Sequence, residues 1–116
     1  MEIMHEASIV RNIIEIAESE AHRHGASAIS RIKVRIGEFR GVVGEALEFS
    51  FEVLKAGTLA AGACLEVETV PLRMTCRSCG EYHCVLSELS FNCPTCGEAV
   101  LVTGGRELEV EYLELD

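Results

Sequence analysis

Two C-x-x-C pairs, Cys76-Arg77-Ser78-Cys79 and Cys93-Pro94-Thr95-Cys96, constrain this chain more than any hydrophobic pattern in it. Each pair is followed at once by glycine, Gly80 and Gly97, which lets the backbone turn sharply just past the second sulfur. Two such turns can bring four thiolates to the corners of one tetrahedron. Zinc suits that donor set best, being soft enough for sulfur and indifferent to redox. With every corner filled by protein, no position remains for water or substrate. The spacing therefore predicts a structural ion and disfavours a catalytic zinc hydrolase.

The rest of the composition narrows the class. Among 116 residues the charged side chains sum to 10 − 19 = −9, and four thiolates on Zn(II) would add further negative charge. No basic patch survives that balance, so nucleic acid is excluded as a partner. No apolar run is long enough to cross a membrane and no signal peptide opens the chain. Cysteines arranged as metal pairs point to a reducing cytoplasm and not to a disulfide framework. Cys64 is expected in or beside a strand as a small apolar residue. Cys84, next to His83, reads as an ordinary loop residue in preference to a transient ligand.

Met4–His24 reads as an amphipathic helix, with Ile9, Ile13, Ile16, Ala17 and Ala21 on one face and Val10 and Ile14 widening it. Glu15, Glu18 and Glu20 take the wet side and Gly25 ends it. His22 and His24 are spaced two apart, unlike a helical metal pair, and read as solvated surface. Ile29–Ile36 alternates, Ile32, Val34 and Ile36 against Arg31, Lys33 and Arg35, as a strand with one buried face does. A glycine-rich connection, residues 37–44, leads to a second helix over Glu45–Lys55. After Gly62 a second strand runs through Val70, with Leu65 and Val67 facing in and Glu66 and Glu68 facing out. A last strand follows Gly104-Gly105, where Glu107, Glu109 and Glu111 alternate with Leu108, Val110 and Tyr112. Leu113 and Leu115 break that parity, which predicts a bulge or a frayed end.

The order helix, strand, helix, strand, zinc insert, strand predicts an α+β or α/β fold, with two helices on one face of a three-stranded mixed sheet and an inserted four-cysteine zinc-ribbon module. Residues 1–70 plus 104–116 make the main domain and 71–103 the zinc-binding module. The first two strands should run parallel through a right-handed crossover. The basic row of the first strand fits best between the two acidic rows, in the middle of the sheet. Insertion of the module between the last two strands favours their adjacency instead, so both orders stand. Chain direction gathers His5, Glu6, Glu38, Glu45 and the zinc module at one end of the sheet.

Met4-His5-Glu6 before a helix, then R-I-G-E-F-R-G-V-V-G-E-A-L and C-x-x-C…C-P-x-C, resembles the HypA/HybF family of hydrogenase maturation factors across nearly the whole chain. The resemblance implies a cytoplasmic nickel metallochaperone and no enzyme. It would hand Ni(II) to the large subunit precursor of a [NiFe] hydrogenase, working with the GTPase HypB, and in some organisms with urease maturation proteins. It makes residues 1–70 plus 104–116 the nickel-binding domain. His5 matches the family's nickel-binding histidine, Glu6 the acid beside it, and Glu45 the acid that opens the second helix. Imidazole, amide nitrogen and carboxylate suit square-planar or tetragonal Ni(II). Two departures stand out: Met1-Glu2-Ile3 precede the motif, and Gly44 replaces a common proline. Either the functional protein starts at Met4, or nickel relies on His5, Glu6, Glu45 and backbone amides without the terminus; the plain alternative for His5 is a disordered terminal histidine. Two other classes remain. C-P-x-C-G also resembles a rubredoxin knuckle, implying an iron electron carrier, and a zinc-ribbon adaptor would bind partners without delivering nickel.

Overall fold

The structure is a computed structural model that describes residues 2–116, with side chains from residue 6 onward. In chain order its elements are α1 (Glu2–Arg23), β1 (Ile29–Gly37), a 3-10 turn (Glu38–Arg40), α2 (Gly44–Leu54), β2 (Cys64–Val70), β3 (Leu72–Cys76), β4 (Gly80–Cys84), a second 3-10 turn (Leu86–Glu88), β5 (Val100–Gly104) and β6 (Leu108–Leu115). They divide into two compact units: residues 2–35, 42–68 and 109–116 form the first, and residues 36–41 and 69–108 the second.

In the first unit α1 buries Ile9, Val10, Ile13, Ile14, Ala17 and Ala21. Glu6 is buried with them, so the buried arc centres on Glu6, Val10, Ile13 and Ala17 and leaves Ile16 at its margin. Ile16, expected on the buried face, is 45% exposed. The helix stops where Gly25 turns left-handed at φ 68°, with the Ala26 N–H donating back to the Ala21 carbonyl at 2.9 Å. Packed against α1, α2 buries Leu47, Ser50 and Phe51.

The sheet order is β2-β1-β6. That decides between the two orders the sequence allows, and the charges explain it. Arg31 pairs with Glu66 and Glu114, Lys33 with Glu68 and Glu111, and Arg35 with Glu68 and Glu109, at 2.8–3.5 Å. Had β2 and β6 been neighbours, two acidic rows would have faced each other. The pairings rise in step along β1 and β2 and run in opposite senses along β1 and β6, as a mixed sheet requires. Ile29, Ile32, Val34 and Ile36 fill the core side of β1. The parity of β6 slips at Glu111–Tyr112, consecutive residues that both reach Lys33. The strand stays continuous to Leu115, so the expected irregularity is internal and not a frayed end. Cys64 does lie in a strand, yet it is exposed, because it opens β2 at the sheet margin.

The second unit is built on a three-stranded antiparallel sheet, order β4-β3-β5, that the hydrophobic pattern alone does not announce. Leu72, Met74, Cys76, Cys93 and Val100 form its core, with Phe39, Tyr82, Cys84, Leu89 and Val102 packed around them. Cys84, expected in a loop, ends β4 and is half-buried against that core. Phe39 comes from the first 3-10 turn, far away in sequence. That turn is held by the Phe39 N–H to the Gly105 carbonyl (2.7 Å), Arg40 Nε to the Arg106 carbonyl (2.9 Å) and the Leu72 N–H to Glu38 Oε1 (3.2 Å). The backbones cross so closely that a Cβ added at Gly37 would fall on the Gly105 carbonyl group.

Candidate metal centre

Four sulfurs converge in the second unit. The Sγ atoms of Cys76, Cys79, Cys93 and Cys96 all lie within 4.8 Å of one another, and Cys76 and Cys96 are 3.5 Å apart. In a tetrahedron with metal–sulfur bonds of about 2.3 Å, the sulfur–sulfur edge is about 3.8 Å, so the donor set fits a tetrahedral ion. All six cysteines of the chain are free thiols.

Local structure explains the convergence. Cys76 ends β3 and Cys79 sits in the turn to β4, where Gly80 takes φ 92°. The second pair lies in a loop pinned by an Asn92–Ala99 bridge. There the Cys93 N–H donates to the Glu98 carbonyl at 2.7 Å, the Gly97 N–H donates to the Cys93 carbonyl at 2.8 Å, and Gly97 takes φ 79°. Only glycine adopts these left-handed turns without strain. Ser78 Oγ donates to Glu98 Oε1 at 2.8 Å, tying one knuckle to the other. Nothing in the spacing of the cysteines predicts that tie. Cys76 and Cys93 are buried, whereas Cys79 and Cys96 face solvent.

The electrostatics of the cluster call for a cation. Backbone N–H groups of Cys96 and Thr95 hold Cys93 down to about 6 from an ordinary 9.0. Hydrogen bonds with the thiols of Cys96 and Cys93 push Cys79 up to about 12. One thiolate, Cys93, is stabilised and Cys79 keeps a proton to share within the cluster, since adjacent negative charges repel. A divalent ion removes that conflict and lets all four sulfurs ionise. Among the described residues this is the one group of three or more His, Cys, Asp or Glu side chains arranged to hold a metal.

In the first unit, Glu6 is completely buried. Its Oε2 accepts the Val43 N–H at 3.1 Å, directly before α2, whose cap receives no bond from its own side chain. A carboxylate there meets the positive end of the helix dipole. Its Oε1 has no hydrogen-bond partner among the described residues. Glu45 lies exposed in the first turn of α2, two residues past Val43. The chain thus brings Glu6 to the same helix start that carries Glu45. The side chain of His5 lies outside the described residues. Glu38, expected with this group, is in the second unit, engaged by the Leu72 amide. His22, His24 and His83 are exposed.

A closed four-sulfur ribbon, together with a separate unit of two helices on a mixed sheet, defines a small metal-binding accessory protein. Among the described residues no helix is long and apolar enough to cross a membrane. The chain belongs to the HypA family, whose profile, described as "Hydrogenase/urease nickel incorporation, metallochaperone, hypA", matches residues 4–115. The family consists of maturation factors and not of enzymes. A hydrogenase maturation factor HypA of Roseiflexus sp. is 40% identical over 97% of this chain and 93% of its own length. Its counterpart in Geobacter sulfurreducens is 43% identical over 97% and 100%. The solution structure of the Ni metallochaperone HypA from Helicobacter pylori superposes with a TM-score of 0.67 at 25% identity, covering 95% of this chain and 96% of that one.

Proposed function

We propose that this protein is a cytoplasmic nickel metallochaperone that delivers Ni(II) during maturation of [NiFe] hydrogenase, and that Cys76, Cys79, Cys93 and Cys96 hold a structural Zn(II). The observation that carries the reading is the family match beginning at Met4, which takes in Met4-His5-Glu6 and the four cysteines together. Nickel is cargo, held by His5, Glu6 and Glu45, and released to the hydrogenase large subunit precursor with a HypB-type GTPase as partner. The family description names urease beside hydrogenase, which supports urease maturation proteins as further partners. The nickel-binding domain, expected over residues 1–70 plus 104–116, corresponds to the first unit, and the zinc-binding module, expected over 71–103, to the second, which also takes in residues 36–41, 69–70 and 104–108. The buried Glu6 carboxylate supports this assignment, because its Oε1 is shielded from solvent and has no hydrogen-bond partner among the described residues. Zinc supplies a crosslink between two knuckles and no open coordination position. Cysteines arranged for a metal and not for disulfides fit a reducing compartment.

Nickel titration of the zinc-loaded protein beside His5→Ala and Glu6→Gln tests the cargo site, with zinc measured in each sample. One zinc per chain in all three, and nickel binding lost in the variants, is the expected pattern. Undiminished nickel binding in both variants would sink the N-terminal assignment. A coloured preparation containing iron in place of zinc would favour the electron-carrier reading.

A further inference from the structure

One face of the first unit's sheet carries five glutamates, Glu66, Glu68, Glu109, Glu111 and Glu114, against three bases, Arg31, Lys33 and Arg35. All three bases stand on the central strand, so each acidic row is neutralised from its inner side alone. β6 is an edge strand, and among the described residues no strand pairs with its outer side. Beside it a groove of about 580 Å³ runs between β6 and α1, lined by Ile16, Leu113 and Leu115 and, at its polar rim, by Glu20, His24 and Glu111. Ile16, the α1 residue left out of the core, forms its wall.

We propose that the free edge of β6 is a docking site for an extended segment of another protein in which Lys or Arg alternates with apolar residues. An added strand would pair with the open backbone of β6, and its side chains would point alternately to the two faces. On one face its bases would flank Glu109, Glu111 and Glu114 from outside, as β1 does from inside. On the other its apolar side chains would enter the groove beside Ile16 and Leu113. A second copy of this chain does not fit. Antiparallel pairing of two β6 strands would bring acidic rows together, and like charges directly opposite are destabilising. The glutamates thus guard the edge against self-association while selecting a basic strand. This docking site is independent of nickel and zinc.

The test uses the full zinc-loaded chain and a capped synthetic peptide of alternating lysine and valine, about as long as β6. Amide shifts and slowed exchange should concentrate at residues 109–115. A backbone N-methylated version, and a version with its lysines clustered, should bind far more weakly. Ile16→Asp, and Glu111→Gln with Glu114→Gln, should each weaken the peptide about tenfold. Equal binding by the N-methylated or clustered peptide overturns the proposal, as do shifts that map away from β6. Concentration-dependent dimerisation that protects the same amides overturns it as well.

Discussion

Replacing Gly37 with alanine tests the backbone crossing in the second unit. Gly37 has φ −73° and ψ 144°, an extended conformation open to any residue, so the substitution brings no dihedral strain. It adds one methyl group, which lands on the carbonyl carbon and oxygen of Gly105. Backbone cannot swing aside as a side-chain end can. Gly105 has little room to retreat, for a Cβ on that residue would itself lie 2.8 Å from the Leu72 Cα. Separation would stretch the bond from the Gly37 N–H to the Glu107 carbonyl, now 2.6 Å, and that from Phe39 to Gly105. Overpacking costs about 1–3 kcal/mol, and two net hydrogen bonds at about 0.5–1.5 kcal/mol each bring the total to about 2–6 kcal/mol. That is a large share of the roughly 5–15 kcal/mol that holds a domain together. Gly44→Ala is the internal control. A Cβ there meets nothing within 4 Å, and alanine is the better helix former, by about 0.5–1 kcal/mol in a helix interior and by less at this first position of α2. Urea titration of the zinc-loaded protein, with hydrogen exchange read at the amides of residues 37 and 39, should move the two variants in opposite directions. A Gly37→Ala protein within about 0.5 kcal/mol of its parent, with both amides still protected, would refute the steric argument.

The centre itself yields two further expectations. Cys93→Ala should abolish zinc stoichiometry and disorder the β4-β3-β5 sheet while α1 and α2 persist in far-ultraviolet circular dichroism, because the first unit has its own core; retained zinc would remove the four-cysteine assignment. Zinc binding should release protons and strengthen as pH rises from about 6. Cys93, depressed to about 6, arrives as thiolate at neutral pH, while Cys79, raised to about 12, must surrender its proton to the ion. An affinity flat across that range, measured with a competing chelator, would contradict this.

How far the sequence could be read depended on whether a signal was local. Alternation in Ile29–Ile36 and the charges of three strands were enough to favour β1 as the central strand, and the ion pairs bear that out. The four cysteines announced their own convergence, since spacing and glycine placement are both local. Ile16 was misplaced because helical periodicity alone cannot locate the centre of a buried arc. A polar residue, Glu6, within that arc shifted it. The three strands of the second unit were invisible for a related reason. Each is only five residues long, too short for a pattern to stand out, and the pairing that makes them strands is supplied by their neighbours. Phe39 gave no sign of its destination, because its partners lie more than thirty positions later in the chain.

That last contact separates what holds the metal from what closes the unit around it. The final sulfur is that of Cys96, yet the slot for the 3-10 turn is closed by backbone from Gly105 to Glu107. The four sulfurs thus come from one short stretch, Cys76 to Cys96, whereas the clasp joins residues 37–40 to residues 105–107. A transplanted segment 71–103 would carry every sulfur and still lack both halves of the clasp.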